Sequence, residues 1–206
     1  MLVYHTESVD YLKDDSLFAQ CYARVPFYRK RKIDALKRPE NRRLSLGAEL
    51  LLEKMLCEAG FPELAKDRLG YYTKQGKPYI LRPDQVPGEN AVPPVYMSIS
   101  HSRNYTMCAL SDTVIGCDLE HADTERTNCP ALARRFFCDE EARAVEADKS
   151  VFYKLWTLKE AYCKCTQTPL PVVLKMNMKE VLRPDSGLKM EQGEKDGFVW
   201  SIVYKA

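Results

Sequence analysis

The chain has 206 residues, of which 45% are hydrophobic and 29% charged, and this composition is typical of a globular protein with a proper core. No apolar run approaches the roughly 20 residues that cross a bilayer, and the first residues lack the pattern of a secretory signal, so we expect no membrane association. The net charge is +2, but nine Lys/Arg are concentrated in residues 24–43, which suits a small polyanion better than nucleic acid in general.

The first half of the chain predicts strands around one amphipathic helix. Residues 1–12 favour a strand and residues 14–23 a short helix or loop, before a break at Pro39. Residues 43–60 predict the clearest helix, ended by Gly60. Extended segments follow at 69–81, then a proline-rich loop at 83–94 and paired strands at 95–100 and 107–110, joined through residues 101–105.

The second half begins with a strand at 113–120. Residues 131–137 favour a helix, and Asp139 is the expected cap of another at 140–147. A longer helix is predicted over 151–165, with Pro169 shortly beyond it. Residues 169–206 alternate apolar and polar side chains and predict a closing set of strands.

The eight cysteines indicate reduced thiols. They are scattered and form no Cys-x-x-Cys pair, and Cys163-x-Cys165 has no matching partner for a zinc site. Thiols of this kind are typical of a cytoplasmic protein.

Two short stretches carry the pattern most suggestive of chemistry. In VIGCDLE, residues 114–120, a strand period of two places Asp118 and Glu120 on one face. In residues 151–165, VFYKLWTLKEAYCKC, a helical period aligns Trp156, Glu160 and Lys164. From spacing alone, Glu160 and Lys164 are equally an ordinary surface ion pair, and the acidic pair equally a strand end.

The residues themselves favour a family. Gly116–Cys117–Asp118–Leu119–Glu120, then Trp156–Thr157–Leu158–Lys159–Glu160–Ala161–Tyr162–Cys163–Lys164, resemble the two-part signature of 4′-phosphopantetheinyl transferases. The departure is Cys117, where the family usually has Ile or Val. The likeness is to the long, surfactin-synthetase-activating (Sfp-like) class, which implies an α/β (α+β) fold of two similar halves related by a pseudo-twofold. We expect the halves at residues 1–111 and 112–206, with the 3′-phosphate and adenine side of the coenzyme A site in the first and the metal and catalytic signature in the second.

The resemblance implies that the chain moves the 4′-phosphopantetheine arm of coenzyme A to a serine of an acyl or peptidyl carrier protein, with Mg²⁺, releasing adenosine 3′,5′-bisphosphate. It implies three metal ligands, Asp118, Glu120 and Glu160, a set that suits Mg²⁺. Glu160 is also the candidate general base. Lys164 is expected beside the pyrophosphate as a stabiliser or acid for the leaving group. Lys159, pointing about 100° from Glu160 on a helix, is expected to give a supporting contact to coenzyme A.

Coenzyme A contacts are also implied in the first half. Ser100 and His101 resemble the family's S-H-S element at the 3′-phosphate, and Arg43, expected to open the predicted helix, matches its phosphate-binding arginine. Lys30 or a neighbour in Arg29–Lys30–Arg31–Lys32 is expected to serve the same phosphate. Gly76–Lys77–Pro78 resembles the family's turn near the adenine, so Lys77 and Pro78 are expected ligands.

Residues 124–137 correspond in the family to the segment that meets the carrier protein. Arg126, Arg134 and Arg135 offer positive charge and Phe136 and Phe137 apolar area, although an ordinary loop with a buried Phe pair fits equally well.

The sequence thus predicts a cytoplasmic transferase, monomeric because it carries both halves of the site, and the resemblance links its class to secondary metabolism. Two rivals stay open: a non-catalytic scaffold that binds coenzyme A or carrier protein, and a Mg²⁺-dependent nucleotide pyrophosphohydrolase.

Overall fold

The fold is taken from a computed structural model that describes residues 1–66, 69–72 (backbone only), 76–86, 88, 92–123, 125 and 127–206. It divides into two compact units, Met1–Asp112 and Thr113–Ala206. Each contains a three-stranded antiparallel sheet and several helices, which confirms the predicted mixture of helices and strands. No helix in the described part of the chain is long and apolar enough to cross a membrane.

The first unit is built on a sheet of order β1-β5-β4, with a separate pair of strands, β2 and β3. Val3 and Met97 both lie opposite Leu110 of the central strand, and the apolar face of the longest helix packs against this sheet. Its elements are a 3₁₀ turn at Asp10–Lys13, β1 Leu2–Ser8, α1 Asp15–Arg24, α2 Phe27–Asp34, α3 Pro39–Glu58, α4 Pro62–Lys66, β2 Leu69–Tyr72, β3 Pro78–Leu81, β4 Tyr96–Ser102 and β5 Tyr105–Ser111.

Helix α3 begins earlier than the sequence pattern predicts. Pro39, expected as a break, occupies the start of the helix, where proline fits because its missing N–H has no partner to lose. The predicted end is confirmed: the helix stops at Glu58, and Gly60 follows in a left-handed conformation with φ of 88°.

The second unit has a sheet of order β6-β8-β7, on which α7 packs. Cys117 lies opposite Ile202 in the central strand, and the apolar core continues from there to α7 and α8. Its elements are β6 Ile115–His121, α5 Cys129–Phe136, α6 Asp139–Ala147, α7 Val151–Thr166, α8 Leu170–Lys175, α9 Met178–Val181, β7 Leu188–Lys195 and β8 Phe198–Lys205.

Two predictions for this unit are wrong in detail. Residues 170–175 and 178–181 form helices rather than strands, and their buried side chains are Val173, Leu174 and Met178. Burial of the adjacent Val173 and Leu174 does not fit the alternation of a strand with one buried face. Asp139 is the first residue of α6, and the cap is Cys138. In the first turn, the carboxylate of Asp139 complements the positive end of the helix.

Gly116 sets how closely β6 and α7 approach. A Cβ atom at this position would collide with the carbonyl oxygen of Ala161 and lie 2.5 Å from the backbone nitrogen of Cys165. The strand and the helix therefore touch backbone to backbone, so side chains on the adjoining turns of α7 meet those of β6 directly.

All eight cysteines are free thiols, as the sequence predicts.

Candidate functional site

The two signature stretches meet where β6 packs against α7. Asp118 is 5% exposed, and its Oδ1 lies 2.7 Å from the ammonium nitrogen of Lys164. The same ammonium donates a second hydrogen bond, 3.0 Å long, to the carbonyl oxygen of Cys117. Lys164 is thus directed across to the strand, so its ion pair joins two elements and is more than a contact along one helix surface.

The charge around Lys164 is fixed by this partner. Burial alone would lower the pKa of Lys164, but the negative charge of Asp118 and the hydrogen bond to it outweigh burial, so the pKa is raised. The side chain is 31% exposed. The cluster therefore holds a permanent positive charge that is paired on one side and reachable from solvent.

Glu160 lies in the same electrostatic neighbourhood. Burial, then the negative charge of Asp118 and, more weakly, that of Glu120 raise the pKa of Glu160, while Lys164 partly offsets them. A bound cation would favour the charged form of Glu160, and a carboxylate with a raised pKa is also a stronger base.

The geometry stops short of a closed metal cage. Among the residues that the structure describes, no group of three or more His, Cys, Asp or Glu side chains is close enough together to hold an ion by itself. The donor set nevertheless fits Mg²⁺, which is bound by one or two carboxylates together with substrate phosphates and water. Asp118, Glu120 and Glu160 supply oxygen ligands of that type.

The structure corrects the prediction for Lys159. Its side chain is completely buried, and its ammonium forms an ion pair of 2.7 Å with Glu141 of α6. Burial lowers the pKa of Lys159, and the ion pair with Glu141 partly offsets that effect. A lysine enclosed by its own protein in this way is not placed to contact coenzyme A.

The first unit contains a cavity of about 390 Å³ beside α2, α3, β3 and β4. Its apolar lining comes mainly from the helix and the sheet core, including Leu52, Ile80, Met97 and Ile99. Its polar lining consists of Tyr28, Arg29, Asn41, Ser45, Glu49, Tyr79 and His101. A cavity of this size with a few polar groups on an apolar wall is typical of a small-molecule site.

Arg29 is the charged residue of the basic run that faces this cavity. Its Nε lies 2.9 Å from Oε2 of Glu49, and its Nη2 donates to Oγ of Ser45 at 3.2 Å. Lys30, the residue selected from the sequence, instead donates to the carbonyl oxygen of Ala23 at 2.8 Å and lies over the ring of Tyr22. Of the neighbouring residues that the sequence offers in this run, Arg29 therefore is the one that lines the cavity.

A signal for this register exists in the sequence. Ile33 is the buried residue of α2, and Arg29 precedes it by four positions, so both lie on the inward face of the helix. The spacing from Ile33 therefore distinguishes Arg29 within the basic run, whereas charge alone leaves its four residues equivalent.

The other predicted ligands of the first unit divide into two groups. Pro78 and His101 line the cavity, whereas Lys77, Ser100 and Arg43 are not among the described residues that do so. Ser100 is buried and, because side chains alternate along β4, lies on the opposite face from His101. Arg43 lies in the second turn of α3, not at its start, and its Nη2 is 3.6 Å from Glu40.

The second unit is similar to a family of known proteins. Residues 114–205 match the family model of the 4′-phosphopantetheinyl transferase superfamily. The match runs from the start of β6 almost to the end of β8, so it covers nearly the whole of that unit.

Several curated relatives carry the name of the same superfamily. The chain is 30% identical to 4′-phosphopantetheinyl transferase HetI of Nostoc sp. over 136 residues, 62% of this chain and 53% of that protein. It is 31% identical over 108 residues to 4′-phosphopantetheinyl transferase Sfp of Bacillus subtilis, which covers 50% and 43%. It is 32% identical over 125 residues to 4′-phosphopantetheinyl transferase AcpT of Salmonella typhi, which covers 58% and 56%. The chain spans about half the length of these relatives.

The range that matches the superfamily contains all four charged residues of the site formed by β6 and α7, and none of the residues that line the cavity. Asp118, Glu120, Glu160 and Lys164 all lie within residues 114–205, and every cavity residue precedes them. The family match therefore supports the site formed by β6 and α7 and does not extend to the cavity.

The segment expected to meet a carrier protein is also within the matched range. Arg134 of α5 forms an ion pair of 2.8 Å with Glu146, and the guanidinium of Arg135 lies 5.1 Å from the ring centre of Phe136. Phe137 is 2% exposed and stacks on Phe152, which agrees with the alternative of a buried phenylalanine at this position. Residues 124 and 126 lie outside the described residues.

Proposed function

We propose that this protein transfers the 4′-phosphopantetheine arm of coenzyme A to a serine of an acyl or peptidyl carrier protein. The observation that carries the proposal is the meeting of Lys164 with Asp118, beside Glu160 and Glu120, inside the segment that matches the transferase superfamily. In this reaction the serine oxygen attacks the phosphorus that bears pantetheine, and the bond to adenosine 3′,5′-bisphosphate breaks.

The proton of the serine is assigned to Glu160. Burial and the neighbouring carboxylates raise the pKa of Glu160, and a carboxylate with a raised pKa accepts a proton more readily. Whether it accepts that proton directly or through a water molecule does not change its role as the base. Replacing it removes the acceptor without opening the core, because Glu160 is only partly buried.

Lys164 is assigned to the leaving phosphate. Its ammonium keeps one partner in Asp118 and remains 31% exposed, so it can approach an anion without losing its counter-charge. A fixed cation positioned where negative charge develops stabilises the transition state and needs no reorganisation.

Asp118, Glu120 and Glu160 would hold Mg²⁺ together with phosphate oxygens of the substrate. When bound there, the ion would neutralise pyrophosphate charge as the bond breaks. The raised pKa of Glu160 is consistent with this assignment, because burial and then the charges of Asp118 and Glu120 disfavour its ionised form, which a bound cation would stabilise.

The cavity of the first unit is proposed to take the adenosine end of coenzyme A. Arg29 and His101 offer donors for its phosphate and Pro78 lies on the wall, while the apolar wall suits the adenine base. Lys30, Lys77, Arg43, Ser100 and Lys159 were predicted as ligands from the family pattern; their positions give no support for Lys30 and Lys159, and the others stay predictions.

The long, Sfp-like class completes the proposal, with its two similar α/β halves, a pseudo-twofold between them and a role in secondary metabolism. The division into two units that each carry a three-stranded sheet and a long helix supports it. A monomeric state and a cytoplasmic location belong to the same proposal, and the eight free thiols support the latter.

The decisive measurement is the intact mass of apo carrier proteins after incubation with this protein, coenzyme A and Mg²⁺. We expect a gain of one phosphopantetheine arm with the wild type and none with Glu160→Ala. Coenzyme A binding without any gain on several acyl and peptidyl carriers would favour the scaffold. Free phosphopantetheine without carrier labelling would favour the pyrophosphohydrolase.

A further inference from the structure

The enclosed ion pair between Lys159 and Glu141 connects four helices of the second unit, α6, α7, α8 and α9. The ammonium of Lys159, on α7, lies 2.7 Å from Oε2 of Glu141, on α6. It also donates to the carbonyl oxygens of Val173, at 3.4 Å, and Met176, at the end of α8. The other oxygen of Glu141, Oε1, accepts a hydrogen bond of 2.8 Å from the backbone nitrogen of Met178, where α9 begins.

This ammonium is enclosed by groups of the protein itself. It donates to the carbonyl oxygens of Val173 and Met176 and forms an ion pair with Glu141. The ring of Phe137 covers the nitrogen at 5.1 Å, and the side chain is 0% exposed. A phosphate could be bound by Lys159 only if it displaced partners that are themselves buried.

The arrangement also places each charge at a favourable helix end. Glu141 lies in the first turn of α6, and the carbonyl oxygens of Val173 and Met176 belong to the last turn and cap of α8. A carboxylate is favoured at the first of these positions and an ammonium at the second. Removing Lys159 would therefore leave a buried carboxylate without its counter-charge and would remove a donor from the carbonyl oxygen of Met176.

We propose that Lys159 is a positioning residue that fixes the rotation of α7 and thereby directs Glu160 and Lys164 towards β6. The inference rests on the proposed transfer reaction. Neighbouring residues on a helix project about 100° apart, so a rotation of α7 that separates Lys159 from Glu141 turns Glu160 by the same angle. On the opposite side, the backbone contact at Gly116 holds α7 against the strand. The helix is thus fixed from two sides.

The test compares Lys159→Met, Glu141→Gln and the double variant that carries both. In Lys159→Met the buried carboxylate has lost its counter-charge. In the double variant that charge is gone as well, and the glutamine oxygen can still accept from Met178. Lys154→Met is the matched control, since Lys154 is on the same helix but pairs with Glu194 at the surface. The readouts are Tm, kcat with a carrier protein, and KM for coenzyme A, measured on folded protein well below Tm.

For Lys159→Met we expect a lower Tm and a kcat reduced about 10- to 100-fold, the range expected when catalytic groups are misplaced by about an ångström. KM for coenzyme A should stay within about twofold of wild type, since a residue without ligand contact adds no ground-state binding. The double variant should recover most of the loss in Tm, because no buried charge is left unpaired, but not the loss in kcat, because the link from α7 to α6 and α8 is still missing. Lys154→Met should match wild type.

Three results would overturn the proposal. A kcat per folded molecule that equals wild type in Lys159→Met would mean that the pair serves stability alone. A large rise in KM for coenzyme A that the double variant shares would make Lys159 a ligand. A double variant that recovers kcat as well as Tm would show that the link through Lys159 is not needed to orient α7. If Lys159→Met does not fold, the double variant alone decides between these outcomes. Failure of the wild type to label any carrier would instead count against the proposed transfer reaction.

Discussion

The two units use their longest helices in different ways. In the second unit, the backbone of α7 touches β6 at Gly116, and the ammonium of Lys164 reaches Asp118 across a distance of 2.7 Å. In the first unit, α3 packs on its sheet but leaves a cavity of about 390 Å³ bounded by Arg29 and Glu49. Close backbone contact brings charged groups together, whereas a wider spacing leaves room for a ligand.

The ion pairs of three cations also differ, in how far each is open to solvent. The ion pair of Lys164 is partly open to solvent, that of Lys159 is enclosed, and that of Arg29 lines a cavity. An enclosed pair contributes to structure, while the other two retain donors that a bound anion can use. Exposure of the cation, and not its presence in a recognised pattern, therefore separates the catalytic candidates from the structural ones.

The largest effect is expected from Lys164→Met. Loss of a fixed cation at the leaving phosphate should lower kcat about 10²- to 10³-fold, the range found when one stabilising donor is removed. Carrier labelling followed by mass spectrometry measures this, with Lys154→Met as the control for the same change elsewhere on α7. Equal rates in the two variants would exclude Lys164 from catalysis.

Gly116→Ala tests the backbone contact that brings the cluster together. Because the atoms that a methyl group would meet are backbone atoms of α7, the helix has to shift, and we expect a loss of about 1–3 kcal/mol in the free energy of unfolding. Urea unfolding followed by circular dichroism measures it. Gly88→Ala is the control, since no atom lies within 4 Å of its added carbon. A stable Gly116→Ala protein with full activity would contradict the close contact.

Much of the second unit could be predicted because its signals are local. The spacing of Glu160 and Lys164 follows from a helical period, and the shared face of Asp118 and Glu120 from a strand period. The burial of Lys159 could not be derived in this way. It depends on Glu141, 18 residues earlier, and on carbonyl oxygens of α8, a segment whose short alternating pattern predicted a strand.

In the first unit, charge alone does not identify which residue of the basic run faces the cavity. Arg29, Lys30, Arg31 and Lys32 are chemically similar, and which of them faces the cavity depends on the phase of α2, which Ile33 sets from the inward side. The start of α3 was likewise missed, because the apolar pattern begins at Leu44 whereas the backbone turns helical at Pro39. Periodicity locates a core-facing stripe but not the polar turn that precedes it.

The position of Arg29 at the cavity gives a third prediction. Arg29→Ala should weaken coenzyme A binding about tenfold, the effect of losing one charge-assisted hydrogen bond, because Arg29 lines the cavity. Lys30→Ala should leave the affinity unchanged, since that ammonium is held by the carbonyl oxygen of Ala23. Isothermal titration of both variants with coenzyme A separates them. A stronger effect from Lys30→Ala would indicate that Lys30, and not Arg29, binds coenzyme A.

The smallest effect is expected on the surface of α5. Arg135→Ala should raise KM for an acidic carrier protein about threefold, the size expected for an exposed charge pair, and leave KM for coenzyme A unchanged. Arg134→Ala should have less effect, because Glu146 already neutralises Arg134 at 2.8 Å. Rates are compared at low and high salt, since screening should reduce the difference between wild type and Arg135→Ala. A rise in both KM values, or one that salt does not change, would mean that α5 acts on folding and not on the encounter with a carrier.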